Sequence, residues 1–243
     1  MDIKNLKFKI KNYLLDILFP PYCINCGHEN NSWLCFSCAK KIVPVVSQVC
    51  PVCEKLSPAG AYHLKCKKGK YLKGILSSAY FEEGPIREMI HNLKYNGLTS
   101  MVELLVDLMA KALTKNFQFQ ILNFQSNSNF IITYVPLHWL RQAGRGYNQS
   151  ELLARAIGEK IGIDVCPLLS KTKSTKRQVK LRGNARRKNL QDVFSLKSDV
   201  SIKNKKIIIV DDITTTGSTL NECAAVLKKA GAKEIWGLVV SRG

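Results

Sequence analysis

The chain carries its clearest hydrophobic signal late. Ile207, Ile208, Ile209 and Val210 form an unbroken β-branched run, the pattern of a strand buried on both faces of a parallel sheet. A second run, Phe130 to Val135, ends at Pro136, and shorter apolar stretches at Leu76–Phe81, within Ile202–Val210 and at Ile235–Val240 predict further strands. Helical spacing appears between them. Ile86, Ile90 and Leu93 predict a helix over 85–93 with Pro85 in its first turn, followed by a turn at Lys94-Tyr95-Asn96-Gly97. Val102–Leu113 and Ser150–Ile161 are amphipathic, and Leu220, Cys223, Ala224 and Leu227 recur at helical spacing up to Gly231, a C-cap residue. Residues 115–129, rich in Asn, Gln and Ser, predict a loop. Strands alternating with helices in this way specify an α/β fold with a mostly parallel sheet.

The first 70 residues have a different texture. Ile3, Leu6, Ile10, Tyr13, Leu14 and Ile17 lie on one side of an amphipathic helix over 1–19, stopped by Pro20-Pro21. Lys4, Lys7, Lys9 and Lys11 interrupt that stretch, so it reads as neither a signal peptide nor a membrane span. Seven of the nine cysteines then fall between Cys23 and Cys66. Cys23-x2-Cys26 and Cys35-x2-Cys38 offer two pairs of thiolates from tight turns, the tetrahedral sulfur cage that Zn2+ prefers at Zn–S distances of ~2.3 Å. Cys50-x2-Cys53 with His63-x2-Cys66 offers a Cys3His set. Cross-braced pairing of the turns satisfies the same spacing. Four protein ligands leave no open position, so both ions are expected to be structural, to support folding of residues 20–70 and to take no part in chemistry elsewhere. C-x-x-C usage of this kind suits a reducing cytoplasm. The expected division is a helix over 1–19, a double ribbon over 20–70 and an α/β domain over 71–243.

Charge changes the picture at both ends. The 243-residue chain has a net charge of +19, concentrated before residue 80 and after residue 170, around a neutral middle. Residues 171–189 hold nine basic side chains and no acidic one. A polyanion, either nucleic acid or a phosphorylated substrate, is the partner such a distribution favours.

The candidate chemistry sits where the Ile-rich strand ends. Asp211 and Asp212 follow it directly, then Thr214-Thr215-Thr216-Gly217-Ser218-Thr219 leads into a helix. Helix N-termini attract anions, Gly217 permits close backbone approach, and the hydroxyls add donors. The two carboxylates suit sugar hydroxyls or a hydrated Mg2+. Together these form a phosphate cradle beside a polyol grip, which fits a ribose 5-phosphate. Acidic pairs also occur in phosphoacceptor and metal sites, and a Thr-rich turn can be a simple cap; no Gly-Lys-Ser/Thr is present for a P-loop. A second strand–turn–helix places His138, Arg141 and Arg145 at the same edge of the sheet.

The string VDDITTTGST resembles the signature of type I phosphoribosyltransferases. Taken with FPPYCINCG, the C-x-x-C series, Lys94-Tyr95-x-Gly97, VPLHWLRQAGRGYNQ, and Gln178 with Arg186-x2-Asn189, residues 13–243 resemble the ComF family, a double zinc ribbon joined to a type I phosphoribosyltransferase domain. His63, in place of a cysteine, departs from that pattern. The resemblance implies binding of phosphoribosyl pyrophosphate (PRPP) with Mg2+ and a role in natural transformation, with single-stranded DNA and the DNA-uptake machinery as partners. On it, Asp211 and Asp212 are the catalytic pair. Thr214, Thr215, Thr216, Gly217, Ser218 and Thr219 would hold the 5-phosphate, and His138, Arg141 and Arg145 the pyrophosphate. Lys176, Arg177 and Arg186 would close over the leaving group. A non-enzymatic DNA-binding module on the same scaffold is the alternative.

Overall fold

The computed structural model describes residues 22–30, 32–82, 84–121, 129–172, 193–197 and 200–243. The helix expected over 1–19 lies outside them. So do Lys176, Arg177, Gln178, Arg186 and Asn189.

Four parallel strands form the central sheet. They are β1 (Gly74–Tyr80), β2 (Phe130–Tyr134), β5 (Lys206–Thr214) and β6 (Glu234–Arg242), in the order β1-β6-β5-β2. Ile208 of β5 lies opposite Trp236 of β6 and Ile132 of β2. Alternate residues feed two separate apolar layers. Ile208 and Val210 join the first, with α2 (Pro85–Tyr95), α3 (Met101–Ile121) and α5 (Gln149–Ile161); Ile207 and Ile209 join the second, with α6 (Ser218–Lys229). Both faces of β5 are therefore covered, as its unbroken apolar run requires. Each fully buried Ile or Leu contributes roughly 1.5–3 kcal/mol. A short antiparallel ribbon, β3 (Leu169–Lys171) with β4 (Phe194–Leu196), packs on the second layer.

Four local expectations are corrected. The acidic pair does not follow the strand but lies in it: β5 continues to Thr214 because β6 runs beside it as far as Arg242. Helix α3 extends to Ile121, through part of the segment expected as a loop over 115–129; no proline or glycine interrupts residues 114–121. Lys94 and Tyr95 complete α2 before the turn at Asn96-Gly97. The basic turn after His138 is a short helix, α4 (Trp139–Arg145), ended by Gly146 in the left-handed region.

The cysteine-rich region, with its short helix α1 (Phe36–Ala39), covers the open edge of β1. The Val45 N–H donates to the Ser78 carbonyl at 3.0 Å and the Tyr80 N–H to the Val43 carbonyl at 3.2 Å. Gln48, buried, brackets Ser77: its amide donates to the Ser77 carbonyl and its carbonyl accepts the Ser77 N–H. This blunts an edge that would otherwise invite strand pairing. Contact is so close at Gly74 that a Cβ there would lie 2.5 Å from the Gly60 carbonyl oxygen and 2.6 Å from the Trp236 ring.

Candidate phosphate site and metal centres

Because the four strands are parallel, their carboxyl ends share one edge, and the candidate residues gather there. Asp212 is buried and its Oδ1 pairs with Lys94 Nζ at 2.9 Å. Its Oδ2 has no hydrogen-bond partner among the described residues. An orphaned buried carboxylate oxygen is costly and suits an absent ligand's hydroxyl or cation. Asp211, half-buried, accepts from Ser150 Oγ at 2.8 Å and from the Asp212 N–H at 2.9 Å. Burial, and then the charge of Asp212, push the Asp211 carboxyl up to about 7. The free site therefore holds its two carboxylates at electrostatic expense.

Thr214 is buried at the end of β5, whereas Thr215 and Thr216 are exposed. Gly217, at φ +70°, starts α6 without a side-chain cap; a Cβ there would lie 2.6 Å from Ile75 Cδ1. Thr216 Oγ1 and Ser218 Oγ are 2.7 Å apart across this turn. Main-chain donors and hydroxyls thus meet at a helix N-terminus, an anion-binding arrangement.

His138, expected on the pyrophosphate side, is buried, and its Nδ1 accepts the Leu140 N–H, capping α4. Arg141 is exposed on that helix. Arg145 donates to Gln149 Oε1 and lies 5.4 Å from the Tyr95 ring centroid. Two further lysines bear on the acidic pair. Lys94 belongs to the predicted turn and to the Lys94-Tyr95-x-Gly97 motif, but nothing local links it to Asp212. Lys171, at the end of β3, is held below its ordinary pKa by burial and then by Arg141, while Cys223 and Asp211 act in the opposite sense.

The metal-ligand sets pair in sequence order. Cys23, Cys26, Cys35 and Cys38 form one cluster and Cys50, Cys53, His63 and Cys66 the other, the ligand atoms of each within 4.8 Å of one another. Cys26 and Cys35 sulfurs are 3.8 Å apart, too far for a disulfide and close to the ~3.8 Å edge of a tetrahedral Zn–S4 cage. His63 fits a ligand role: Nδ1 lies 3.2 Å from Cys53 Sγ, and Nε2 is 3.1 Å from the Leu56 carbonyl. That carbonyl fixes the ring orientation and leaves Nδ1 for the metal.

Comparisons with known proteins agree with both halves of this arrangement. The family model of the double zinc ribbon domain matches residues 14–67, and that of the phosphoribosyl transferase domain matches residues 148–241. Competence protein F of Haemophilus influenzae is 30% identical over 222 residues, covering 90% of this chain and 84% of its own. The chain belongs to the ComF family. Competence protein ComFC of Streptococcus pneumoniae is 28% identical, covering 85% of this chain and 86% of that protein. DNA utilization protein YhgH of Escherichia coli K12 is also 28% identical, over 77% and 82%. Among solved structures, purine phosphoribosyltransferase from Pyrococcus horikoshii is 20% identical with a TM-score of 0.37, covering 57% of this chain and 73% of that one. The family's two zinc sites and its parallel-sheet phosphoribosyltransferase fold are thus both present here. No helix among the described residues is long and apolar enough to cross a membrane.

Proposed function

We propose that this ComF-family protein binds PRPP with Mg2+ at the carboxyl edge of the sheet and transfers ribose 5-phosphate to an acceptor. The observation that carries the reading is the buried Asp212 with one oxygen unpaired, beside a hydroxyl-rich turn that opens a helix. Thr215, Thr216, Gly217, Ser218 and Thr219 hold the 5-phosphate, with Thr214 backing the turn. Asp211 and Asp212 hold the ribose hydroxyls or Mg2+, an ion that supplies charge neutralisation to the departing pyrophosphate. Arg141 and Arg145 face the pyrophosphate side, with His138 ordering their helix. During transfer the C1–O bond to pyrophosphate breaks, its electron pair leaves with pyrophosphate, and the acceptor forms the new bond to C1. Positioning and stabilisation of the leaving charge are the terms this site can supply.

The test is calorimetry of PRPP with Mg2+, with pyrophosphate release followed against candidate acceptors. Asp212→Asn keeps the shape and removes the charge, so PRPP binding should fall by more than tenfold while zinc content is unchanged. Absence of PRPP binding by the unaltered protein overturns the reading.

A second reading is single-stranded DNA binding without catalysis, within a role in DNA uptake and transformation alongside cytoplasmic uptake proteins. The net charge of +19 and relatives named for competence and DNA utilization favour it. Such binding must weaken steeply with salt. Affinity that is flat between low and physiological salt removes it.

A further inference from the structure

One buried hydroxyl is used by neither the fold nor the proposed chemistry. Tyr62 belongs to the cysteine-rich region and immediately precedes the metal ligand His63. Its side chain is more than nine-tenths buried, packed in the second apolar layer with Cys50, Leu72 and Ile75. Its hydroxyl has no hydrogen-bond partner among the described residues. That hydroxyl lies under the phosphate turn, 3.3 Å from where a Cβ on Gly217 would be. A phenol oxygen buried without a partner destabilises the free protein and normally finds one. Here the turn residue it faces is Gly217, at the start of α6.

Two further contacts tie the same metal cluster to the same turn. Asn221, in the first turns of α6, accepts the Tyr71 N–H at 2.9 Å and donates to the Gly69 carbonyl at 3.3 Å, just beyond ligand Cys66. Glu54, next to ligand Cys53, pairs with Arg242 at 2.8 Å, and Arg242 lies beside Thr214 in the sheet register.

We propose that Tyr62 is a positioning residue of the phosphate turn, its hydroxyl donating to the turn when an anion fills it, so that anion binding and metal retention at Cys50, Cys53, His63 and Cys66 are linked. The inference rests on the phosphate reading of Thr215–Thr219 given above. Linkage is reciprocal: if the metal-bound cluster favours the filled turn, the filled turn favours the metal-bound cluster.

The experiment uses the full-length zinc-loaded protein. Zinc release is followed with a metallochromic dye, with and without saturating PRPP and Mg2+, while PRPP affinity and Tm are measured in parallel for the unaltered protein and Tyr62→Phe. PRPP should slow the release of one zinc equivalent about fivefold or more and leave the other unchanged. Tyr62→Phe keeps the ring and removes only the orphaned hydroxyl. It should keep or raise the Tm of the free protein, weaken PRPP binding about three- to tenfold, and lose most of the protection of zinc. A purely structural tyrosine would move Tm and affinity in the same direction. If PRPP binds yet neither zinc equivalent is protected, the linkage is overturned and the PRPP reading stands. If Tyr62→Phe binds PRPP with unchanged affinity, the role of Tyr62 is overturned. If PRPP does not bind the unaltered protein, the parent reading and this one fall together.

Discussion

The two metal centres have nearly the same ligand chemistry and different neighbours. Cys23 and Cys38 are buried in the apolar layer that holds α2, α3 and α5. Cys50 is buried in the opposite layer, with Tyr62, Ile75, Leu220 and Cys223. The chain between them, Val43 to Gln48, runs along β1 and carries the region from one face of the sheet to the other. Ligand spacing alone assigns both ions one task, the folding of residues 20–70. The contacts separate them: the first cluster packs in its apolar layer, and the segment after the second is in addition tied to α6 through Asn221.

The sharpest break in that comparison comes from removing one thiolate from each centre. Structural zinc supplies ~10–16 kcal/mol of folding energy in small peptides, so either loss is severe locally. Cys50→Ser should release the second zinc and lower PRPP affinity by more than tenfold, because Tyr62 and the Gly69–Tyr71 clamp on Asn221 lose their support. Cys26→Ser removes a ligand that is exposed and should release only the first zinc, changing PRPP affinity less than threefold. Zinc counts and calorimetry on both variants decide the matter. Equal losses of affinity would make the two centres equivalent and the comparison wrong.

A smaller effect separates the site from the metals through pH. The Asp211 carboxyl is held at about 7 in the free protein, first by burial and then by Asp212. Its folded value lies above its unfolded one, so the stability linked to its neutral form is present at pH 4 and is lost as pH rises to 7. Asp211→Asn should therefore match the unaltered protein at pH 4 and exceed it by about 1–3 kcal/mol at pH 8, where the isosteric amide removes the repulsion. PRPP affinity should rise through pH 7 in the unaltered protein and show no such rise in the variant. Zinc release from the free variant should be unchanged at both centres. Thermal denaturation across pH, with dye-monitored zinc release, measures all three.

The sequence disclosed local patterns more fully than what surrounds them in the fold. The Ile207–Val210 run and the two ligand sets carry local patterns, and each is found where its pattern predicts an element or a cluster, whereas the acidic pair lies inside β5 and not after it. The extent of β5 was hidden because strand pairing, not apolar patterning, sets it: Ile213 and Thr214 stay in register with Ser241 and Arg242 after the buried run has ended. Lys94 pairs with Asp212, and Tyr62 faces Gly217, across more than a hundred residues. No period or motif spans such a gap. A histidine beside arginines suggests an anion ligand, and nothing local signals that the His138 Nδ1 also caps the helix it begins.

The smallest effect tests how far the link between the second centre and the site depends on charge. Glu54 reaches Arg242 from the residue after ligand Cys53, but its side chain is 76% exposed while that of Arg242 is 15% exposed. Exposed ion pairs contribute about 0.2–1 kcal/mol and are screened by salt. Glu54→Gln should thus lower stability by about 0.5 kcal/mol or less at low ionic strength and by nothing measurable in high salt. Its effect on PRPP affinity should stay under twofold. The contacts at Tyr62 and Asn221 respond to salt far less, because neither pairs formal charges. A loss of PRPP affinity in Glu54→Gln as large as that in Tyr62→Phe, and abolished by salt, would mean that the metal cluster acts on the phosphate turn through Arg242 at the surface and not through the packed layer beneath Gly217.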